Sequence, residues 1–257
     1  MFRTLFHHRV RAHAQHLLDT VFPKGYQGEI FLCGGAFKPL LYRKGVVHDL
    51  DLWVRNRTER EHLTGALCEA GGTLVEDFHP FCQKFRREGR WVKVAYQDVE
   101  SGALEDILDS FDLSLCGVGA RYLDGAIVET EVHEEFWQAF RRRRVQVLRS
   151  YLTELGAMKT PTVLRSLHRM GQQAAELGYR VEEADEHLLW ELYRDQYSEQ
   201  ERRAAMDMYF ESVVIARGQR DEHLVRRASA GYVPVLHTSP AAEVVSVAAG
   251  VSGRNAA

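Results

Sequence analysis

The chain has 257 residues, 45% hydrophobic and 27% charged, a balance that suits a folded core in one large domain or two smaller ones. A formal net charge of −3 excludes a polycation, so contact with any polyanion must come from local basic patches. Cys33, Cys68, Cys82 and Cys116 form no C-x-x-C pair, which argues against a thiolate zinc site and suits a reducing, cytoplasmic setting, and no apolar run is long enough to span a membrane.

Apolar spacing at Leu5, Val10, Leu17, Leu18 and Val21 predicts a helix over residues 5–21. Although basic and amphipathic, this segment runs almost directly into the next apolar run, and it reads as a helix packed on a sheet rather than a leader. Its His7, His8, His13 and His16 lack an accompanying carboxylate or thiol cluster and read as a solvated face. "GEIFLCGG" predicts a short buried strand ending in a glycine turn, and "AFKPLLYRKG" a short helical or irregular connection interrupted by Pro39. "DLDLWVRN" alternates with period two. A helix follows in "RTEREHLTGALCEAGG", stopped by Gly71-Gly72. Strands and hairpins are expected in "TLVEDF", "FCQKFRREGRWVKVAY" and "VGARYLDGAIVET", with the helix "ALEDILDSF" between the last two. The G-x-G of "CGVGARY" is followed by strand pattern and so fails as a dinucleotide fingerprint.

From about Glu131 the pattern turns to long helical segments: "HEEFWQAFRRRRVQVLRSYLTEL", "TPTVLRSLHRMGQQAAELG", "EADEHLLWELYRDQ" and "SEQERRAAMDMYFESVVIARG". The apolar stripes of "HLLWELY" and "MDMYFESVV" read as core more readily than as a dimer surface. The expected organisation is a head over residues 1–130, a helical neck-like domain over 131–230 and a loosely held tail over 231–257.

Acidic residues are depleted in strands, so Asp49 and Asp51 need a reason. At i and i+2 their carboxylates leave one face together, while Leu50, Leu52 and Val54 share the other. Alone, the two charges repel and raise each other's pKa. A divalent cation removes that penalty, and hard oxygen ligands suit Mg²⁺ (or Mn²⁺) held with substrate phosphates. Gly34 and Gly35 let backbone approach a polyphosphate where a side chain would collide. Either half alone is weak, since a D-x-D is commonly a solvated face; together they point to phosphoryl or nucleotidyl transfer from a nucleoside triphosphate.

Gly34, Gly35, Ala36, Phe37, Lys38, Leu40 and Leu41, followed by Asp49 and Asp51, resemble the signature of the nucleotidyltransferase superfamily that includes DNA polymerase β. In particular the stretch looks like the head domain of bacterial poly(A) polymerases and class II CCA-adding enzymes. "SFDLSLCGVGARYLDGAIVE" resembles a second family segment, with Asp112, Leu113 and Ser114 in the places of its aspartate, phenylalanine and threonine. The resemblance implies an α+β fold: a nucleotidyltransferase-type mixed sheet with flanking helices, followed by an all-helical C-terminal domain. It implies that Asp49 and Asp51 ligate metal, that Asp112 assists catalysis beside them, and that Gly34, Gly35, Lys38 and Ser114 contact the nucleotide. A later helix, which in the family reads the base, corresponds to the segment with Pro161, Arg165 and Arg169; the two arginines lie at i and i+4 and are candidates for base or phosphate contact.

Departures are specific. Pro39 replaces the acidic half of a basic-acidic pair, Phe111 an arginine, Cys116 an asparagine, and Thr160 the acidic residue before the proline, so protein-templated C and A selection does not carry over. Lys93 stands where a third acidic side chain is expected, and reads as an exposed strand residue. Basic clusters at Arg86, Arg87 and Arg90, and at Arg141, Arg142, Arg143 and Arg144, are either simple solubility features or, if they face the cleft beside Asp49, candidate RNA contacts (Arg86, Arg87, Arg141 and Arg142), with "EEADEH" on the outer surface and Trp91 or Tyr122 available for stacking. The resemblance thus implies transfer of an NMP to an acceptor hydroxyl, an RNA or tRNA end, with release of pyrophosphate. The alternatives are a catalytically weakened nucleotide- or RNA-binding module, or a nucleotidyltransferase acting on a small molecule or protein.

Overall fold

The computed structural model describes residues 2–41, 47, 49–79, 81–154, 160–195, 198–200 and 202–203. All lie in the compact unit Met1–Gln219; the expected tail over 231–257 and the segment "MDMYFESVV" fall outside the described residues. In chain order the elements are α1 (Phe2–Val21), β1 (Glu29–Cys33), a 3-10 turn (Gly34–Phe37), α2 (Lys38–Leu41), β2 (Asp49–Trp53), α3 (Arg57–Glu69), β3 (Thr73–Phe78), β4 (Cys82–Arg87), β5 (Arg90–Ala95) and α4 (Leu104–Asp109). A second 3-10 turn (Ser114–Cys116) leads to β6 (Val118–Leu123), β7 (Ala126–Val132), α5 (Glu134–Arg142), β8 (Arg144–Val145), α6 (Arg149–Glu154), α7 (Thr160–Leu177), β9 (Arg180–Val181) and α8 (Glu183–Asp195).

Seven strands form one mixed sheet in the order β3-β4-β5-β2-β1-β6-β7. β2 and β5 run parallel, and the other neighbouring pairs are antiparallel. Every residue of β1 is buried, as expected for a central strand covered on both faces. On one face Phe31 and Cys33 pack with Leu104, Ile107 and Leu108 of α4, flanked by Trp53 and Phe111. On the other, Ile30 and Leu32 are fully buried with Leu50, Leu52, Val92 and Val94. α1 lies on β6 and β7 through its buried stripe Phe6, Val10, Ala14, Leu17, Leu18 and Val21.

Local chemistry sets the boundaries. Asn56 caps α3 by accepting from the Glu59 N–H at 3.0 Å, and Glu59 accepts from the Arg55 N–H, a capping exchange written in "RNRTE". α3 ends ahead of Gly71, whose φ of +88° a side chain would oppose. The G-x-G of "CGVGARY" has a packing reason: a Cβ on Gly119 would stand 2.8 Å from Leu104 and 2.9 Å from the Cys33 sulfur. Glycine there lets α4 close on the sheet.

The segment 134–154, expected as one long helix, is divided. Arg143 adopts a left-handed conformation (φ +53°) and ends α5. Val145 and Val147 then run extended and buried, β8 pairing in parallel with β9 and Val147 bridging Leu113. β-branched residues that gain sheet partners and burial outweigh the helical spacing. Apart from these two-residue strands, the regular elements described after β7 are helices, and Leu189, Trp190 and Tyr193 are core. Gly119→Val is expected to cost about 1–3 kcal/mol by overpacking the α4 contact, read as a lower urea midpoint with unchanged m-value.

Candidate active site

The glycine turn and the D-x-D strand meet at the middle of the sheet. β1 and β2 are antiparallel neighbours with Cys33 opposite Asp51, so the strand that ends in Gly34 delivers the turn beside the carboxylates. Gly34 has φ +71°, and a Cβ there would stand 3.0 Å from the Phe111 ring. The aromatic ring in the place of the expected arginine thus packs on Gly34, edge-on to Trp53 with ring centroids 5.7 Å apart. Above Gly35 a Cβ would meet nothing within 4 Å, which leaves that side of the turn open to a ligand. His13 of α1 also holds the turn, its Nε2–H donating to the Ala36 carbonyl at 2.9 Å, and burial lowers its pKa. The expected solvated histidine face is therefore only partly so: His8 and His16 are exposed, whereas His13 and His7, which bonds Thr130, are half-buried. Pro39 sits at the second position of α2 and does not interrupt it, because the first turn of a helix needs no N–H there.

Asp49 and Asp51 do share a face, as the alternation predicts, with Leu50 and Leu52 buried behind them. The neighbouring parallel strand sets Trp91 beside Asp49 and Lys93 beside Asp51. The Lys93 Nζ donates to Asp49 Oδ2 at 2.8 Å and stands 3.7 Å from Asp51 Oδ1. Its side chain is only 28% exposed, so Lys93 is a counter-ion between the two carboxylates, not the exposed strand residue that its position suggests. Burial raises the Asp51 pKa, with Asp49 adding to the rise; Lys93, Arg169 and Lys38 pull against it. For Lys93 burial acts to lower the pKa, but Asp51 and the hydrogen bond to Asp49 outweigh it and leave the ammonium above its usual range.

Asp112 faces a different partner set. Its side chain is 7% exposed, and its two oxygens accept from Ser166 at 2.9 Å and from Arg169 at 2.6 Å. Tyr151 extends the chain to Ser166 at 2.9 Å, and Arg169 also reaches the Cys116 sulfur at 3.2 Å. Asp112 therefore fastens α7 to the loop between α4 and β6, and Arg169, charged and close enough to act on Asp51, is brought to the site by it. Ser114 is fully buried and donates to the Gln146 carbonyl, so its hydroxyl serves the backbone after α5. Arg165, one turn from Arg169 on α7, points to solvent. No sequence pattern announces that an arginine pair at i and i+4 will split in this way.

Of the basic candidates, Arg86 shares the Asp49 face: it lies opposite Trp91, with its guanidinium 4.9 Å from that ring. Arg87 pairs with Glu88 and lies against Gly71 at the end of α3. Arg141 is exposed beside Glu134. Arg142 lines a cavity of about 820 Å³ with Arg144 and Arg149, but Arg144 is paired with Glu182 and Arg149 with Asp185. The acidic segment is accordingly not wholly on the outer surface, for Asp185 is 2% exposed and accepts from the Val147 N–H. Tyr122 is excluded from stacking, being buried with its hydroxyl bonded to Tyr26.

Among the described residues no group of three or more His, Cys, Asp or Glu side chains is placed to hold a metal ion, and no helix is long and apolar enough to cross a membrane. No protein-family model matches the chain, and no curated protein matches it. Solved structures do. One is a tRNA-processing enzyme in an apo form, at TM-score 0.53 and 14% identity over 88% of this chain and 57% of that one. Another is the Thermotoga maritima CCA-adding enzyme complexed with tRNA, at TM-score 0.53 and 17% identity over 84% of this chain and 49% of that one. A third is a tRNA nucleotidyltransferase complexed with a primer tRNA and an incoming ATP analogue, at TM-score 0.53 and 14% identity over 80% and 60%. The chain spans about half to three-fifths of the length of these structures.

Because Asp112 and Arg169 form a pair that is mostly removed from water, Asp112→Ala is expected to cost about 1–3 kcal/mol. In a double-mutant cycle with Arg169→Met by chemical denaturation, the combined loss should be smaller than the sum of the single losses. At these identities the likeness to the solved structures is one of fold: the chain shares with them an α+β architecture, a mixed sheet with flanking helices.

Proposed function

We propose that this chain binds a nucleoside triphosphate across the Gly34–Gly35 turn and transfers its nucleoside monophosphate to an acceptor hydroxyl, releasing pyrophosphate. The observation that carries the reading is the pairing of Asp49 and Asp51 on one face of a central strand, beside a glycine turn open above Gly35, in a nucleotidyltransferase-type fold. The acceptor favoured is an RNA end, because Arg86 and Trp91 lie on the same sheet face as the carboxylates and offer a cation and a ring to a nucleic-acid strand. The fold neighbours complexed with tRNA support the same choice.

The fit of a divalent cation rests on the donor set. Asp49 and Asp51 direct oxygens at one position that already attracts a cation, the Lys93 ammonium. Those two carboxylates would hold Mg²⁺ or Mn²⁺ along with phosphate oxygens once Lys93 withdraws. Bound there, the metal would neutralise triphosphate charge and assist attack on the α-phosphorus. The protein's own part is to keep the carboxylates aligned on a rigid strand, to leave room above Gly35, and to bring the Arg169 and Lys38 charges near Asp51. Asp112 supports the site by holding Arg169.

A second reading, nucleotide binding without turnover, is favoured by Lys93 in the place of a third carboxylate and by Phe111 in the place of an arginine. Incubation with each labelled NTP, Mg²⁺ and total RNA separates the two. Label should enter RNA with the wild-type protein and fall at least tenfold with Asp51→Asn; saturable nucleotide binding with no label transferred to any acceptor would establish the binding module instead. For the acceptor surface, Arg86→Glu is expected to weaken RNA affinity and to flatten its salt dependence by about one phosphate contact. Equal affinity and slope in a filter-binding titration would remove Arg86 from that surface.

A further inference from the structure

A strand position that faces two carboxylates holds an ammonium instead of a third acid, and the three groups form one cluster. Lys93 Nζ is 2.8 Å from Asp49 and 3.7 Å from Asp51, and its strand partner on the other side, Lys84, is itself paired with Glu76 at 2.6 Å. Taken alone, the three charges of Asp49, Asp51 and Lys93 sum to −1. We propose that Lys93 is a resident counter-ion that occupies the divalent-cation position in the nucleotide-free protein and yields it only when the metal arrives with a triphosphate. This rests on the reading of the site as a metal–nucleotide site.

The reasoning is one of space and charge. A hard divalent cation sits about 2.0–2.1 Å from carboxylate oxygens, which places it in the volume that the Lys93 ammonium now fills. Two cations cannot share that volume, so the free metal must displace the ammonium without offering it a new partner. A triphosphate changes the exchange: it brings several negative charges, and the lysine, on a flexible four-carbon stem, can leave the carboxylates and pair with a phosphate oxygen. Metal and nucleotide then assist each other's binding, a coupling that is reciprocal by necessity. The arrangement also lets the two aspartates share a face without a metal, since the ammonium supplies the opposite charge that they need.

The test is a Mn²⁺ titration of the full chain without nucleotide, followed by electron paramagnetic resonance of the free ion. Wild type and Lys93→Arg, which keeps the cation, should bind Mn²⁺ weakly. Lys93→Met should bind at least tenfold more tightly, and adding Asp51→Asn to it should abolish the gain. With a non-hydrolysable NTP analogue, Mn²⁺ affinity should rise at least tenfold for wild type and distinctly less for Lys93→Met. Equal nucleotide-free affinity in wild type and a folded Lys93→Met would overturn the counter-ion assignment; if wild type still takes up Mn²⁺ with the analogue, the nucleotidyltransferase reading survives that failure. If no variant takes up Mn²⁺ with or without analogue, both fall.

Discussion

Two carboxylates projecting from one face of a central strand repel and raise each other's pKa unless a positive charge stands between them, and the rest of this site is organised around that need. Here the charge comes from Lys93 on the parallel neighbour β5, at hydrogen-bond distance from Asp49. The parallel pairing of β2 with β5 in an otherwise antiparallel sheet places Lys93 directly beside Asp51. A shift of one residue in that register would turn the lysine stem into the apolar layer of Leu50, Leu52, Val92 and Val94. The electrostatics of the site and the packing of the core therefore depend on the same register.

Around this cluster the remaining polar groups fall into two ranks. Lys38 and Arg169 act on Asp51 through charge. Asp112, Ser166 and Tyr151 form a hydrogen-bonded chain whose effect on the site runs through Arg169. Such a chain is stabilising only when each member is satisfied. Asp112 meets that condition by using both oxygens, and in doing so ties α7 to the loop between α4 and β6. His13 fills a comparable role on the other side, linking α1 to the glycine turn.

The departures from the resembled pattern acquire physical meaning in this setting. Phe111 is an apolar lid on Gly34, so a side chain there would be crowded by the ring as well as opposed by the backbone angle. Cys116 receives the Arg169 and Gln173 donors from α7 and so belongs to the same attachment. Lys93 offsets part of the negative charge on the carboxylate face and, as a resident counter-ion, makes the affinity for a metal depend on what else is bound.

The period-two alternation of "DLDLWV" was enough to put Asp49 and Asp51 on one face, and the apolar runs, glycine turns and capping residues located most of the strands and helices, because those features depend on neighbours within a few residues. The tertiary structure alone decided which partners the polar side chains took. Lys93 and Asp49 are 44 residues apart, and Asp112 and Arg169 are 57 apart, and no local rule connects them. The same distance dependence undid the expected helix over 134–154, where Val145 and Val147 found strand partners at Val181 and Leu113 that local spacing could not reveal. Residue types and short-range spacing determined that a paired-carboxylate face would exist; strand register and helix docking determined which cation stands against it.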